Sequence, residues 1–320
     1  MKKIAILTSG GDAPGMNACV RAIVRTALYK GWEVYGIERG YQGLLSGDIY
    51  KLDSRSVSDK IQLGGTFLKS ARCPEFVNID VQQKGAELLS AFGIDGLVVI
   101  GGDGTFHGAQ ALADNFGINV IGIPGTIDND LGYTDYTLGF DTAVNTVLWA
   151  INNLRDTMHS HERVSVLQVM GRHCGDIALY SGMAGGAEYI LVPEVAFDID
   201  EIAKDLRKSS VKGKTSNMII FAEGAGVCVD FINELKTKTG LDIKYTTLGH
   251  IQRGGSPTMR DRYLAARWGS RAIKLLEEGK NCMAIGIKDD KIIDVPFSKV
   301  FTIKKNFNFE LYNEAKILSL

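Results

Sequence analysis

The sequence predicts an α/β protein with mainly parallel sheets, built as about two domains. Short apolar runs rich in Ile and Val end repeatedly in glycine, and segments with helical periodicity follow them. Strands that are apolar on both faces are typical of parallel sheets covered by helices on each side. The 320 residues correspond to about two domains of ~150 residues, and 45% of them are apolar, which is enough for a core in each.

Three strands lead into glycine turns in the first half of the chain. The pairs of strand and turn are 4–7 with 8–11, 96–100 with 101–104, and 120–123 with 124–126. Amphipathic helices are predicted at 16–30, stopping at Gly31, and at 80–92, starting on Asp80 as N-cap and stopping at Gly93.

The cycle of strand, turn and helix restarts in the second half. A helix at 142–158 has an apolar stripe suited to a core, and strands at 164–169 and 217–221 end in new glycine turns. The glycine turn at 249–255 precedes a long helix at 260–278, whose domain the pattern does not decide. A second α/β unit is therefore predicted.

Composition excludes several classes of protein. Lys plus Arg number 36 against 37 Asp plus Glu, so the net charge of -1 offers no general attraction for nucleic acid or an acidic membrane. The five cysteines include no C-x-x-C pair, which argues against a disulfide framework or a cysteine zinc site and fits a reducing cytoplasm. The apolar run at 4–7 is too short for a signal peptide, and no membrane span is expected.

Glycine is the unusual component, with 37 residues against 6 prolines. At the carboxyl ends of parallel strands, glycine lets the backbone approach a phosphate group, and helix N-termini offer N–H groups to an anion. Gly10, Gly11 and Gly15 fit that role, although tight turns also use glycine for positive φ angles. The turn matches neither G-x-G-x-x-G nor the P-loop motif.

Two acidic turns suggest chemistry at phosphate groups. Asp103 lies among the glycines of the second turn, where a carboxylate suits Mg²⁺ bridging nucleotide phosphates or, alternatively, the N-cap of the next helix. Asp128 and Asp130 could orient and deprotonate a hydroxyl group, or could fill an ordinary acidic turn.

Cationic side chains follow at later turns and could clamp a second phosphorylated ligand, because arginine binds phosphate in a bidentate manner. These side chains are Arg163, Arg172, His250 and Arg253. Each of them taken alone is better explained as an ordinary solvated surface residue. His159 and His161 are not expected to bind a metal, because no carboxylate triad and no third histidine lies nearby in the sequence.

Five motifs together resemble those of bacterial-type ATP-dependent 6-phosphofructokinases. In order they are SGGDAPGMN (9–17), IGGDGT (100–105), PGTIDND (124–130), MGRHCGD (170–176) and GHIQRGGSP (249–257). The resemblance covers most of the chain. It implies transfer of the γ-phosphoryl group of Mg-ATP to the 1-hydroxyl of fructose 6-phosphate by a cytoplasmic, allosterically regulated homotetramer.

The resemblance further implies two Rossmann-like three-layer α/β/α domains, both discontinuous. The ATP-binding domain would comprise 1–138 plus 251–301, and the fructose 6-phosphate-binding domain 139–250 plus 302–320. The strand before the turn at 249–255 is expected to return to the first of them.

Site residues are also implied by the resemblance. ATP would contact Gly11, Arg72, Cys73, Gly102, Asp103, Gly104 and Thr105, with Asp103 holding Mg²⁺. Catalysis would fall to Asp128 as the base, with Thr126, Asp130 and Arg172. The sugar phosphate would contact Thr126, Ile127, Asp128, Met170, Gly171, Arg172 and Glu223, with His250 and Arg253 at its 6-phosphate and Arg163 and Lys244 from a neighbouring subunit. An effector site for ADP or phosphoenolpyruvate would use Arg21, Arg25, Arg155, Gly186, Glu188, Lys212 and Lys214.

A few positions distinguish this chain within the resemblance. Pyrophosphate-dependent relatives typically carry Asp at the position of Gly104 and Lys at that of Gly125, so the sequence resembles the ATP users. Lys244 stands where well-studied members have arginine, which keeps the charge and loses the planar geometry. Ser54, with Arg55 beside it, stands where an effector-site arginine is frequent.

Other classes explain less of the sequence. Another kinase with a GGDGT motif, such as an NAD kinase, would not account for PGTIDND or for the two arginine-containing glycine turns. A non-catalytic nucleotide-sensing subunit would be expected to have lost the base. Asp103, Asp128, Arg172 and Arg253 are all present.

Overall fold

The computed structural model describes residues 2–319. In chain order, the strands are β1 (Lys3–Thr8), β2 (Glu33–Ile37), β3 (Ile49–Leu52), β4 (Gly96–Gly101), β5 (Val120–Pro124), β6 (Val164–Val169), β7 (Tyr189–Leu191), β8 (Asn217–Ala222), β9 (Ile243–Thr247), β10 (Met283–Lys288) and β11 (Lys291–Pro296). The α-helices are α1 (Met16–Tyr29), α2 (Gly40–Ser46), α3 (Ile79–Ala91), α4 (Asp103–Phe116), α5 (Phe140–His161), α6 (Asp176–Ala184), α7 (Ile199–Val211), α8 (Cys228–Thr239), α9 (Met259–Glu277), α10 (Phe297–Val300) and α11 (Phe309–Leu318). Short 3-10 helices lie at Pro74–Val77, Glu223–Ala225 and Gly249–Arg253.

The chain divides into two compact units. Unit 1 comprises residues up to 127, 131–142 and 253–305, and unit 2 comprises 128–130, 143–252 and the residues from 306 onward. The assignment of one ligand to each of the two predicted domains stays a prediction.

Unit 1 is built on a seven-stranded sheet in the order β11-β10-β5-β4-β1-β2-β3. The five central strands are parallel, and β3 and β11 close the two edges as antiparallel partners of β2 and β10. Ala5 and Leu7 of β1 pack into a core with residues of α3 and α4, while Ile4 and Ile6 on the opposite face are also fully buried. The sheet is therefore covered on both faces, as the uninterrupted apolar runs predict.

Unit 2 has a four-stranded, fully parallel sheet in the order β7-β8-β6-β9. On one face Val166 and Phe221 pack with Leu206 of α7 and Leu235 of α8. On the other face α6 lies so close to the sheet that a Cβ at Gly182 would come within 2.6 Å of an Ile190 carbon. The predicted fold class, α/β with mainly parallel sheets, is confirmed in both units.

Three expectations about the elements are wrong in detail. The strand before Gly249 is β9, which pairs with β6 and so belongs to the sheet of unit 2 rather than returning to unit 1. Asp80 is not an N-cap, because α3 begins one residue earlier with Asn78 as its flanking residue and Asp80 in its first turn. The helix predicted at 142–158 is longer at both ends, spanning Phe140–His161.

Helix α5 begins early because a side chain from a distant part of the sequence caps its N-terminus. The carboxylate of Asp261, fully buried in the first turn of α9, accepts hydrogen bonds from the backbone N–H of Gly139 (2.8 Å) and Thr142 (2.9 Å) and from the Thr142 hydroxyl. Burial raises the pKa of Asp261 to about 6. Asp261 thus caps α5 from another helix.

None of the helices within residues 2–319 is long and apolar enough to cross a membrane.

Candidate active site

The first glycine turn of unit 1 lies between β1 and α1. A Cβ at Gly11 would overlap the guanidinium group of Arg253, which therefore lies directly over this turn. The structure brings together two predicted site residues that are 242 positions apart in the sequence. A side chain at position 11 would displace the flexible end of the Arg253 side chain.

A loop that the sequence did not single out lies against the same turn. The side-chain amide of Asn17, 2% exposed, donates to the carbonyl oxygens of Leu63 (3.1 Å) and Gly64 (3.0 Å), and its oxygen accepts from Phe67 N–H (2.8 Å). The Ser70 hydroxyl donates to the Gly10 carbonyl at 2.6 Å. Asn17 belongs to the SGGDAPGMN motif, but partners some 50 residues away leave no signal in the sequence.

This loop leads to Arg72 and Cys73. Arg72 is exposed, and Cys73 is half-buried against the core of unit 1. Desolvation, with smaller contributions from Glu75, raises the pKa of the Cys73 thiol to about 11. Cys73 is therefore a neutral, apolar contact group at neutral pH rather than a nucleophile.

The second glycine turn connects β4 to α4. Thr105 is buried, and its hydroxyl donates to the Ser9 carbonyl at 3.2 Å, which joins this turn to the first one. The Tyr41 hydroxyl donates to the Thr105 carbonyl at 2.6 Å. Gly102 is the N-cap of α4, so the N–H groups of the first helical turn lie at this loop, as an anion site requires.

Asp103 is the first residue of α4, and its side chain is 62% exposed. It is not the N-cap, so the alternative role considered for it does not apply. His107, one turn further along the helix, approaches it with Nδ1 at 3.3 Å from Oδ2, and its ring lies against Phe301. No group of three or more His, Cys, Asp or Glu side chains in residues 2–319 is placed to hold a metal ion. The single accessible carboxylate of Asp103, beside a glycine turn suited to phosphate, fits Mg²⁺. This ion usually takes one or two protein ligands and completes its coordination shell with phosphate oxygens and water.

The third turn follows β5. The Gly125 N–H donates to the Gly101 carbonyl (2.9 Å), and the Thr137 hydroxyl donates to the Thr126 carbonyl (2.6 Å). A Cβ at Gly125 would come within 3.0 Å of carbons of Ile100 and Met16. The side chain of Ile127 is fully buried, so it contributes to the core and leaves only its backbone for a ligand.

Asp128, Asn129 and Asp130 belong to unit 2. Asp130 is exposed and Asp128 half-buried, whereas Asn129 between them is 1% exposed. The φ angle of Asn129 is 53°, and its side-chain Nδ2 donates to Oδ2 of the buried Asp176 at 2.8 Å. The two carboxylates therefore flank an anchored residue.

Predicted sugar-phosphate residues meet at the carboxyl edge of the sheet of unit 2. Met170, Gly171 and Arg172 follow β6, and the Gly171 carbonyl accepts a hydrogen bond from Gly224 N–H, beside Glu223 after β8 (3.1 Å). The buried side chain of Gln252 accepts from Met170 N–H at 3.1 Å, which joins the turn that carries His250. A Cβ at Gly171, whose φ is 124°, would lie 2.5 Å from the Cys174 carbonyl, so this turn requires glycine.

Arg163 and Lys244 lie at the opposite, amino edge of the same sheet. Asp242 joins them, with one carboxylate oxygen 2.8 Å from Arg163 Nε and the other 3.0 Å from Lys244 Nζ. The hydrogen bond from Lys244, together with the charges of Lys244 and Arg163, holds the pKa of Asp242 below its usual value. The sequence reasoning missed Asp242.

The predicted effector residues form local groups. In unit 1, Arg21 and Arg25 share a face of α1, and burial, followed by the charge of Arg25, lowers the pKa of Arg21. In unit 2, Arg155 donates to the Gly185 carbonyl (2.9 and 3.1 Å) and contacts the Gly186 carbonyl.

A cleft of about 690 Å³ in unit 2 is bordered by three of the predicted effector residues. Glu188 pairs with Lys214 at 3.3 Å, and Lys212 ends α7 beside them. A cavity of this volume can hold a ligand the size of a nucleotide.

Comparison with known proteins shows the family of this chain. The family described as "Phosphofructokinase" matches residues 3–276. The ATP-dependent 6-phosphofructokinases of Clostridium botulinum (strain Hall) and Clostridium acetobutylicum are each 56% identical over 319 residues, covering 100% of both chains.

Solved structures show the same fold. Phosphofructokinase from Saccharomyces cerevisiae superposes with a TM-score of 0.90 at 35% identity, covering 98% of this chain and 50% of the yeast chain. This chain thus spans half the length of that relative. A pyrophosphate-dependent phosphofructokinase from Marinobacter aquaeolei, 24% identical, has a TM-score of 0.87 over 97% of this chain and 86% of its own, which shows the shared fold alone.

Fold and relatives together define an α/β phosphotransferase that acts on an alcohol group. The chain belongs to the phosphofructokinase family.

Proposed function

We propose that this chain carries out the reaction of its closely similar relatives, transfer of the γ-phosphoryl group of ATP to the 1-hydroxyl of fructose 6-phosphate, giving fructose 1,6-bisphosphate and ADP. The observation that carries the proposal is the full-length identity of 56% to ATP-dependent 6-phosphofructokinases. The chain also contains all five of the motifs described above. Phosphoryl transfer depends chiefly on positioning and on neutralising phosphate charge, and the turns described above supply groups for both.

The nucleotide is proposed to bind at the turns of unit 1. Gly11, the residues of the second turn (Gly102, Asp103, Gly104 and Thr105) and the loop residues Arg72 and Cys73 would contact it. The N–H groups of the first turn of α4 suit a phosphate, and Asp103 would hold Mg²⁺. When bound, Mg²⁺ neutralises charge on the β- and γ-phosphates.

Two glycines support ATP as the donor over pyrophosphate. A Cβ at Gly104 would point into open space, so the fold itself leaves room there for the body of a nucleotide. Gly125 is crowded by Ile100 and Met16, and a lysine at this position would have to displace them. The open space at Gly104 suits the larger donor, and the packing around Gly125 disfavours the lysine that is typical of pyrophosphate users.

Asp128 is proposed as the general base that takes the proton of the 1-hydroxyl, with Thr126 and Asp130 orienting the acceptor. The sugar phosphate would be held at the carboxyl edge of unit 2 by the side chains of Met170, Arg172 and Glu223 and by the backbone of Gly171, together with the backbone of Ile127. His250 and Arg253 would bind its 6-phosphate through charge-assisted hydrogen bonds. Arg172 would also neutralise charge that develops during transfer.

Assembly and regulation are proposed as well. Arg163 and Lys244 would reach the sugar phosphate of a neighbouring chain in a homotetramer. The cationic face of Arg21 and Arg25, and the group formed by Arg155, Gly186, Glu188, Lys212 and Lys214, would bind ADP or phosphoenolpyruvate as effectors. The exposed side chains of Arg25, Lys212 and Lys214 supply positive charge suited to a phosphorylated ligand. Five free thiols are compatible with a cytoplasmic location.

The substitution Asp128→Asn tests the base most directly. We expect kcat to fall by roughly 10²- to 10⁴-fold with little change in KM, because the amide keeps the shape of the side chain and cannot accept the proton. A coupled assay of ADP release with ATP, Mg²⁺ and fructose 6-phosphate measures this. The matched control is Asp230→Asn, an exposed carboxylate in the first turn of α8, which should leave kcat unchanged. An Asp128→Asn enzyme with normal kcat would remove Asp128 from the base role, and no ADP release by the unmodified enzyme would reject the reaction itself.

A further inference from the structure

Asn129 has an unusual backbone conformation, and the proposed reaction gives this residue no role. In the segment 125–139, between β5 and α5, Asn129 is the one non-glycine residue with a positive φ angle, 53°. Left-handed backbone is unfavourable for residues with a Cβ, and asparagine tolerates it best. Its place between Asp128 and Asp130 makes this conformation decisive for both neighbours.

The side chain of Asn129 holds this conformation through a buried contact. Nδ2 donates to Oδ2 of Asp176 at 2.8 Å, with Asn129 1% and Asp176 3% exposed. A hydrogen bond to an ionised acceptor away from water is among the stronger ones in proteins. On the other side, the Cys174 thiol contacts the Asn129 carbonyl oxygen, with sulfur and oxygen 3.8 Å apart.

The anchor point is itself fixed. Asp176 opens α6, and the preceding Gly175 N–H donates to the carboxylate of Glu194 at 2.8 Å. A Cβ at Gly175 would lie 2.5 Å from Val192 carbons, so the start of this helix is closely packed. Asn129 is therefore tied to a rigid part of unit 2.

Burial alternates along the three residues in a way that matches this anchoring. Asn129 points inward, whereas Asp128 is half-buried and Asp130 exposed. Fixing the middle residue fixes the backbone on both sides and so sets the direction in which each carboxylate leaves the chain. A general base works only within hydrogen-bond reach of its proton, and a displacement of about 1 Å can cost on the order of 100-fold in rate.

We infer that Asn129 is a positioning residue, whose hydrogen bond to Asp176 holds the Asp128 carboxylate in the direction needed for proton removal. This inference rests on the proposed function of Asp128. Asn129 acts through its neighbour and has no need to touch the substrate.

Three variants test the hydrogen bond itself. Asn129→Asp sets two carboxylates against each other and should lower kcat by roughly 10- to 100-fold, with KM for both substrates changed less than about threefold. Asp176→Asn alone is the matched control, since the amide oxygen can still accept from Asn129, and should keep most of the activity. Combining the two restores a donor opposite an acceptor, with the roles exchanged, and should recover most of the kcat lost in Asn129→Asp.

The outcomes separate the possible failures. Normal kcat in Asn129→Asp, or no recovery in the double variant, would overturn the inference. If Asn129→Asp does not fold, Asn129→Gly keeps the positive φ and removes the anchor, and its kcat should fall by about 10-fold at unchanged KM. A normal kcat in Asn129→Gly beside an inactive Asp128→Asn overturns this inference alone, whereas an active Asp128→Asn overturns the base assignment and with it the role of Asn129.

Discussion

The sheet of unit 2 carries cationic side chains at both of its edges, and the two edges differ in how these side chains are held. At the carboxyl edge, Arg172 and His250 are exposed on turns built around glycine and a buried glutamine. At the amino edge, Arg163 and Lys244 share the carboxylate of Asp242. The cations at the carboxyl edge are therefore exposed on glycine turns, whereas those at the amino edge are paired with a carboxylate.

The distance between the edges explains the difference. Strand β6, six residues long, separates Arg163 from Met170, and at about 3.3 Å per residue the two edges lie roughly 20 Å apart. No sugar phosphate can contact both edges of one chain. If both sets bind this substrate, the amino-edge cations must serve the site of another chain, which is what the proposed homotetramer requires.

The largest expected effect belongs to the carboxyl edge. Arg172→Ser should lower kcat/KM for fructose 6-phosphate by about 100-fold, because loss of a charge-assisted hydrogen bond to phosphate costs about 3 kcal/mol. Steady-state kinetics at saturating ATP measure the effect. The control Lys204→Ser removes an exposed cation on α7 and should have no effect. A change of less than twofold in Arg172→Ser would show that the carboxyl edge does not hold the substrate.

A smaller effect is expected at the amino edge. Arg163→Ser should raise KM for fructose 6-phosphate by about 10-fold, with kcat and KM for ATP little changed, because one of several phosphate contacts is lost and the base is untouched. Kinetics with each substrate varied in turn separate these terms. An unaltered KM for fructose 6-phosphate would mean that the pair with Asp242 is an ordinary surface ion pair, which contributes little.

Much of the fold was predictable because the strands are buried on both faces. The apolar runs of β1, β4 and β5 are short and rich in Ile and Val, which favours buried strands, and the glycines after them mark the turns. Strand β9 has no such apolar run, because it is the outermost strand of its sheet and Lys244, Tyr245 and Thr247 are exposed. Its place in unit 2 depends on pairing with β6, a long-range contact.

The candidate site was predictable only in part. Motifs identify residues that a ligand would touch, because their chemistry is visible at short spacing. Positioning residues are not visible in this way: Asn129 meets Asp176 across 47 positions, and Asp242 meets Arg163 from the adjacent strand. Glycine at position 11 was predicted for phosphate, and the structure adds that a side chain there would displace the guanidinium group of Arg253.

Mixing two variants, each impaired in its use of fructose 6-phosphate, tests directly whether the two edges serve different chains. Arg163→Ser and Arg172→Ser chains are unfolded together, refolded and assayed below the KM for fructose 6-phosphate. In a mixed oligomer, one site combines the intact Arg172 of the first chain with the intact Arg163 of the second. We predict activity well above the mean of the two parents, with a maximum near equal amounts of the two chains. Activity equal to that mean at every ratio would contradict a substrate site shared between chains.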